Sequence, residues 1–270
     1  MRFLIVGDTH ARLDLLHTYA TKAQTSLGVD AVIQVGDFGF FPQTIVRFQQ
    51  HFQSFPIPVH AIDGNHEDHL WLQRCVDQGD VLDWAQNLNL HYHARGTVTE
   101  HGSARIGWLG GALHVDRHQE GLLMHWRLGI EPPACNWIRP SDRDLAIQAW
   151  RTAPPDLIVT HSVPSGIGVG LAGDPGYRLM IENHVTSQGW SSGPQNDVGD
   201  TELQEVYRML TSHPSAWVFG HFHTFHRRVV GTTEFVCVGS GDNTDGHNGL
   251  AQTVIFDTAT RRLEIGGALP

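Results

Sequence analysis

The chain has few cysteines, almost no lysine and no long apolar run. Its 270 residues include three cysteines, Cys75, Cys135 and Cys237, an odd number at spacings that fit neither a disulfide framework nor a thiolate zinc site. That argues against a small disulfide-stapled protein and fits a reducing compartment. Lys22 is the only lysine, so nearly all positive charge is arginine, whose planar fork suits phosphate; codon bias is the better explanation, and no weight rests on it. The formal net charge of −10 at pH 7 argues against an extended grip on a nucleic-acid backbone but leaves a small phosphate ligand open. No apolar run approaches the roughly 18 residues a membrane helix needs, and Leu4 to Val6 is too short for a signal-peptide core. The expectation is a cytoplasmic protein with no membrane segment.

With 40% apolar residues the chain can bury a large core. Arg2 to Val6 is continuously apolar after its first residue, as a strand buried on both faces should be. Leu13, Leu15, Leu16, Tyr19, Ala20 and Ala23 form a helical stripe that Gly28 stops. Ala31 to Val35 and Val59 to Ile62 read as strands, and Thr44 to Gln53 and His69 to Val76 as helices. This alternation implies a parallel sheet with right-handed crossovers. Short strands over His91 to His93, Thr97 to Glu100 and Arg105 to Leu109 are expected to begin a second sheet. Ser141 with Asp144 has the form of a capping box opening a helix to Ala153. Strands at Asp156 to Thr160 and Ala216 to Phe219, with a helix from Thr201 to Leu210 between them, precede a run of antiparallel strands: Arg227 to Val230, Glu234 to Val238, Thr253 to Asp257 and Arg262 to Ile265.

Two segments have no period. Residues 112–140 mix Asp116, Arg117, His118, Trp126 and Trp137 with glycine and proline and read as a cap over a site. Residues 162–199, rich in glycine, serine and proline, read as a rim loop.

Five predicted strands end in polar residues that could bind metal: Asp8 and His10, Asp37, Asn65 with His66, His161, and His221 with His223. In open α/β sheets the crevice outside the carboxyl ends of the strands is where ligands bind. With 19 histidines in the chain, one histidine after a strand means little, and the ordered set is what carries weight. It runs from Asp8 to His223, so any cut between them would split it, and residues 1–270 read as a single domain. Imidazole, carboxylate and amide donors without thiolate point to manganese, iron, zinc, cobalt or nickel rather than calcium or magnesium.

Asp8-Thr9-His10, Gly36-Asp37, Gly64-Asn65-His66-Glu67, His161 and Gly220-His221-Phe222-His223 together resemble the signature of the calcineurin-like metallophosphoesterases. The resemblance implies an α/β fold of four layers, an αββα sandwich of two mixed β-sheets flanked by helices, with a dinuclear metal site at the C-terminal ends of the strands. It implies that Asp8, His10, Asp37 and His223 hold one divalent ion and that Asp37, Asn65, His161 and His221 hold the other. Manganese or Fe2+/Fe3+ come first, with zinc, cobalt and nickel behind. It further implies attack on phosphorus by a metal-bridging hydroxide, with His66 assisting the leaving group.

In the Ser/Thr protein phosphatase branch, an acidic residue and an arginine follow the Gly-Asp motif at positions that here are Phe40 and Phe41. That departure counts against a phosphoprotein phosphatase. The Gly-Asp-Phe-Gly-Phe form at Gly36 to Phe40 is similar to a bacterial and phage branch. Glu67 or Asp63 remains to orient His66. Arg117 and Asn65 are candidate substrate contacts, and Trp126, Trp137 and Phe41 are candidates for a base-stacking wall. The expected activity is hydrolysis of a small or nucleotide-like phosphate mono- or diester. A phosphoprotein phosphatase and a non-catalytic metal- or phosphate-binding module are the alternatives. Arg227 and Arg228 keep a nucleic-acid substrate open, although the acidic balance makes a long footprint unfavourable. The oligomeric state is not legible in the sequence.

Overall fold

The computed structural model describes residues 1–79, 85–112, 136–167, 197, 199–241 and 252–266. In chain order the elements are β1 (Arg2–Val6), α1 (Leu13–Lys22), β2 (Ala31–Gln34), α2 (Pro42–Phe52), β3 (Val59–Ala61), α3 (His69–Gln78), β4 (Leu90–Tyr92), β5 (Thr97–His101), β6 (Ala104–Leu109), α4 (Pro140–Thr152), β7 (Leu157–Thr160), α5 (Thr201–Met209), β8 (Ala216–Phe219), β9 (His226–Val230), β10 (Thr233–Cys237), β11 (Thr253–Asp257) and β12 (Arg262–Gly266). Most of the expected cap at 112–140 and of the rim at 162–199 lies outside the described residues.

The strands form two mixed six-stranded sheets. The first has the order β12-β11-β1-β2-β3-β4 and the second β5-β6-β7-β8-β10-β9. Side chains alternate across each strand, and the sequence uses both faces. In β1, Phe3 and Ile5 point between the sheets to join Ile33, Ile106, Trp108, Val159 and Val218. Leu4 and Val6 point outward under α1 and α2, against Leu16, Ile45 and Phe48. Beyond the second sheet, Trp217, Phe219 and Phe235 pack under Ala146 and Trp150 of α4 and Leu203 and Val206 of α5. The result is the αββα sandwich. Each fully buried leucine or phenylalanine contributes about 1.5–3 kcal/mol, which is why a strand with no polar face forms at all.

Helix ends follow local chemistry. Asp68 accepts the Trp71 N–H at 3.0 Å to start α3, and Gly79, with φ of 76°, ends it. Asp200 accepts the N–H groups of Glu202 and Leu203 at 2.8 and 3.1 Å to start α5.

Three expectations need correction. The strand around His91 to His93 does not open the second sheet: β4 pairs in parallel with β3, because α3 completes another strand-helix-strand crossover, and the second sheet starts at β5. The helix expected to be capped by Ser141 and Asp144 starts two residues earlier, since Pro140 fits the first helical position, where no N–H is needed. Asp142 then accepts the Arg139 N–H at 3.0 Å. The late antiparallel run is divided between the sheets: β10 joins the second through parallel pairing with β8, while β11 joins the first antiparallel to β1.

Candidate metal centre

β1, β2 and β3 of the first sheet and β7 and β8 of the second deliver Asp8 and His10, Asp37, Asn65 and His66, His161, and His221 and His223 to one place. The contacts that join them cross between the sheets. His161 lies 2.8 Å through Nδ1 from the carbonyl of Val35, and the His221 N–H donates to both oxygens of Asp8 at 3.1 and 3.2 Å. Nε2 of His161 lies 3.1 Å from Oδ1 of Asn65 and 3.4 Å from Oδ1 of Asp37.

Two groups of donor atoms emerge, Asp8/His10/His223 and Asp8/Asp37/His161, each with its atoms within 4.8 Å of one another. In the first, Nε2 of His10 faces Nε2 of His223 at 3.1 Å, and Oδ2 of Asp8 is 3.1 Å from the same His223 nitrogen. Asp37 reaches toward both, Oδ1 to His161 and Oδ2 to His10 at 3.9 Å. Two imidazoles presenting nitrogens to each other beside two buried carboxylates is a donor set that fits divalent transition metals.

The backbone is bent to make this set. His10, Asp37, His221 and His223 all have positive φ, at 43°, 52°, 67° and 55°. Each such residue costs on the order of 1–3 kcal/mol and persists only where its surroundings hold it. The hold on Asp37 is visible: its carbonyl accepts the N–H groups of Thr9 and His10 at 3.1 and 2.8 Å, and its Oδ1 accepts the His66 N–H at 2.8 Å. Gly36, with φ of 101°, is needed twice over. A Cβ there would also lie 2.7 Å from Cγ of His161.

Charge is concentrated here. Asp8, Asp37, Asn65 and His161 are buried, while His66 is exposed at the rim with its ring 5.5 Å from that of His10. Burial opposes ionisation of Asp8 and Asp37, yet the neighbouring histidines together outweigh it, His161 with His223 at Asp8 and His161 with His66 and His10 at Asp37, and hold both carboxyls below their usual range. For His161 burial likewise works against the charge, but Asp37 and Asp8 push it up to about 10. Burial and the neighbouring His161 charge push His221 down to about 3. One imidazolium thus balances two carboxylates in the metal-free protein.

The carboxylates of both candidates for orienting His66 bind other groups. The Glu67 carboxylate accepts the backbone N–H groups of Phe38, Gly39, Phe40 and Gly64 at 2.8, 2.9, 2.5 and 3.3 Å, clamping the loop that carries Asp37. Desolvation and the Asp37 charge push that carboxyl up to about 8, while the N–H donors pull it back. Asp63 is taken by Arg95, at 3.0 Å from Nε and 2.6 Å from Nη2, and by the Tyr92 hydroxyl at 3.0 Å. Arg95 also donates to Asp142 at 3.0 Å and to the Trp137 carbonyl at 2.7 Å, tying the loop after β3 to α4. Sequence reasoning missed Arg95, and the only signal for it was an arginine inside a strand-rich stretch.

Phe40 is fully buried, stacked on Phe38 at 4.4 Å, so the position is core. Phe41 is half-buried and caps α2. Arg117 and Trp126 lie outside the described residues. Among the described residues no helix is long and apolar enough to cross a membrane.

Residues 1–225 match the family model described as calcineurin-like phosphoesterase. No curated protein matches the chain. Among solved structures, the protein TT1561 of Thermus thermophilus is 14% identical with a TM-score of 0.58, over 97% of this chain and 96% of that one. An archaeal phosphodiesterase is 14% identical with a TM-score of 0.44 over 98% of both chains. The phosphopantetheinyl hydrolase of Mycobacterium tuberculosis is 11% identical with a TM-score of 0.45 over 92% of this chain and 93% of that one. At 14% identity the likeness to TT1561 speaks to the fold alone, and the family match speaks to the chemistry. From the donor set and that match over most of its length, the chain belongs to the calcineurin-like phosphoesterase family and is a hydrolase of phosphoric ester bonds.

Proposed function

We propose that this protein hydrolyses small or nucleotide-like phosphate mono- or diesters at a centre for two divalent cations. In this reading Asp8, His10, Asp37 and His223 hold one cation, Asp37, Asn65, His161 and His221 hold the other, and Asp37 is shared. The observation that carries it is the pair of donor groups that meet at the buried carboxylates, each within 4.8 Å. The mixed imidazole, carboxylate and amide set favours manganese or iron, then zinc, cobalt or nickel.

Two such cations, when bound, supply Lewis acidity toward a phosphoryl group and lower the pKa of water toward neutrality. The chain's own residues do the rest. Asp37, pinned by the N–H groups of the next loop, presents one oxygen to each side of the centre. Asn65 offers a neutral amide oxygen to cation or substrate. His66, exposed beside His10, delivers a proton to the leaving oxygen; its own N–H on Asp37 fixes where its ring starts. The burial of Phe40 removes from the site the position that is acidic in the protein phosphatase branch, which favours a small ester over a phosphoprotein. We take residues 1–270 as one catalytic domain, since β11 and β12 complete the sheet that carries Asp8. The buried thiols of Cys75 and Cys237 suit a reducing, cytoplasmic setting.

The test is hydrolysis of p-nitrophenyl phosphate and bis-p-nitrophenyl phosphate by metal-loaded protein, beside the variant Asp37→Ala. Release from one or both esters that the variant abolishes is expected. No release with metal bound would turn the reading to a binding module.

A further inference from the structure

The two sheets meet at an open edge formed by β4 of the first and β5 of the second. Elsewhere the space between the sheets is apolar; at this edge it is lined by imidazoles. His60 of β3 pairs with Ile33, which points between the sheets, and on its other side with His91 of β4, so both histidines face inward. From the opposite sheet His101 pairs with Ala104, also an inter-sheet residue. His93, one residue past β4, completes the group. Its ring lies flat on Trp108, with centroids 3.8 Å apart and planes 4° from parallel.

We propose that His60, His93 and His101 form a metal site distinct from the strand-end centre, taking one zinc-class divalent ion and clamping the edge strands of the two sheets together. Their donor atoms lie within 4.8 Å of one another, and they share no residue with the other two donor groups. Nδ1 of His60 faces Nε2 of His93 at 2.9 Å. The strand-end centre shows the same arrangement, with His10 and His223 at 3.1 Å. Tetrahedral zinc–nitrogen bonds of about 2.0–2.1 Å set nitrogen pairs on the order of 3.3 Å apart, so the pocket needs only small side-chain adjustments.

The surroundings favour the ligand form. Burial and the neighbouring histidines hold His60 down to about 3 and His93 well below its usual value, and burial lowers His101 as well, so the rings are neutral and keep a lone pair to give. Oγ1 of Thr99 accepts the Trp108 indole N–H at 2.7 Å and sits 2.9 Å from Nε2 of His101, fixing that ring as partners of ligating histidines do. The fourth position would fall to a solvent molecule or, after a side-chain movement, to His91, which is exposed and stacked on His60 at 4.8 Å. An all-imidazole set with no carboxylate suits zinc, nickel, cobalt or copper rather than magnesium or calcium.

The test uses untagged full-length protein, stripped with a chelator and dialysed against Zn2+, with bound metal counted by mass spectrometry and the melting temperature followed in parallel. His93→Gln and His101→Gln should each bind one equivalent fewer than the parent and lose a Zn2+-dependent rise in melting temperature. Asp37→Asn, which disturbs only the strand-end centre, should keep both the equivalent and the rise. Because His101 is half-buried at the end of an edge strand, its variant stays informative if His93→Gln folds poorly. Equal zinc stoichiometry in the parent and His101→Gln, with the same thermal response, would overturn the proposal and leave the phosphoesterase reading untouched.

Discussion

Replacing Arg95 with methionine keeps an apolar stem against the core and deletes the guanidinium. Four hydrogen bonds disappear with it: two to Asp63, at 3.0 and 2.6 Å, one to Asp142 at 3.0 Å and one to the Trp137 carbonyl at 2.7 Å. Asp142 keeps Arg139, at 2.9 Å from Nε and 2.7 Å from Nη2. Asp63, only 1% exposed, keeps the Tyr92 hydroxyl and His69 at 3.8 Å, neither of which replaces a bidentate cation. Removing one partner of a buried ion pair costs about 3–5 kcal/mol, mostly from the charge left behind. The double variant Asp63→Asn/Arg95→Met buries no such charge and should be destabilised by only about 1–2 kcal/mol, the ordinary cost of lost hydrogen bonds. The assay is urea unfolding of the metal-free protein at neutral pH for the parent, both single variants and the double. The cycle should show the two positions coupled. If Arg95→Met costs less than about 1 kcal/mol, or if the single losses simply add, then Arg95 does not neutralise Asp63 and the account of how the loop after β3 is anchored fails.

Gly36→Ala places a methyl group against the His161 ring at positive φ, and a loss of about 2–5 kcal/mol is expected from backbone strain plus overpacking, with weaker metal uptake; unfolding and dialysis that match the parent would contradict the close approach. His66→Asn should lower turnover roughly 10²–10⁴-fold on an alkyl phosphate, whose leaving group needs a proton, and far less on a p-nitrophenyl ester; equal losses on both would remove the general-acid role. Burial pushes Asp200 from 3.8 up to about 6, so the folded protein holds a proton that the unfolded chain has already released, and stability falls as pH rises through that window. Asp200→Asn keeps the helix cap without the charge. It should be more stable than the parent by about 1–3 kcal/mol above pH 6 and indistinguishable below pH 4; a difference that does not change with pH would refute the assignment.

Much of the fold was legible in the sequence because its signals are local. Runs such as Arg2 to Val6 and Ala216 to Phe219 have no polar face, so they can only be strands buried on both sides. The residues that follow them can only lie at strand ends, which brought Asp8, Asp37, His161 and His221 to one rim. Long-range pairing decided the rest. Nothing near His91 shows whether β4 extends the first sheet or opens the second, because hydrogen bonds to β3 settle that. In sequence Glu67 reads as a candidate partner of His66 and Arg95 carries no signal of a role, and only the folded chain turns the backbone N–H groups of the Asp37 loop toward one and Asp63 toward the other. His60, His93 and His101 become neighbours only once two sheets stack face to face. Strand pattern fixes which side of a sheet a residue faces; what it meets there depends on the other sheet.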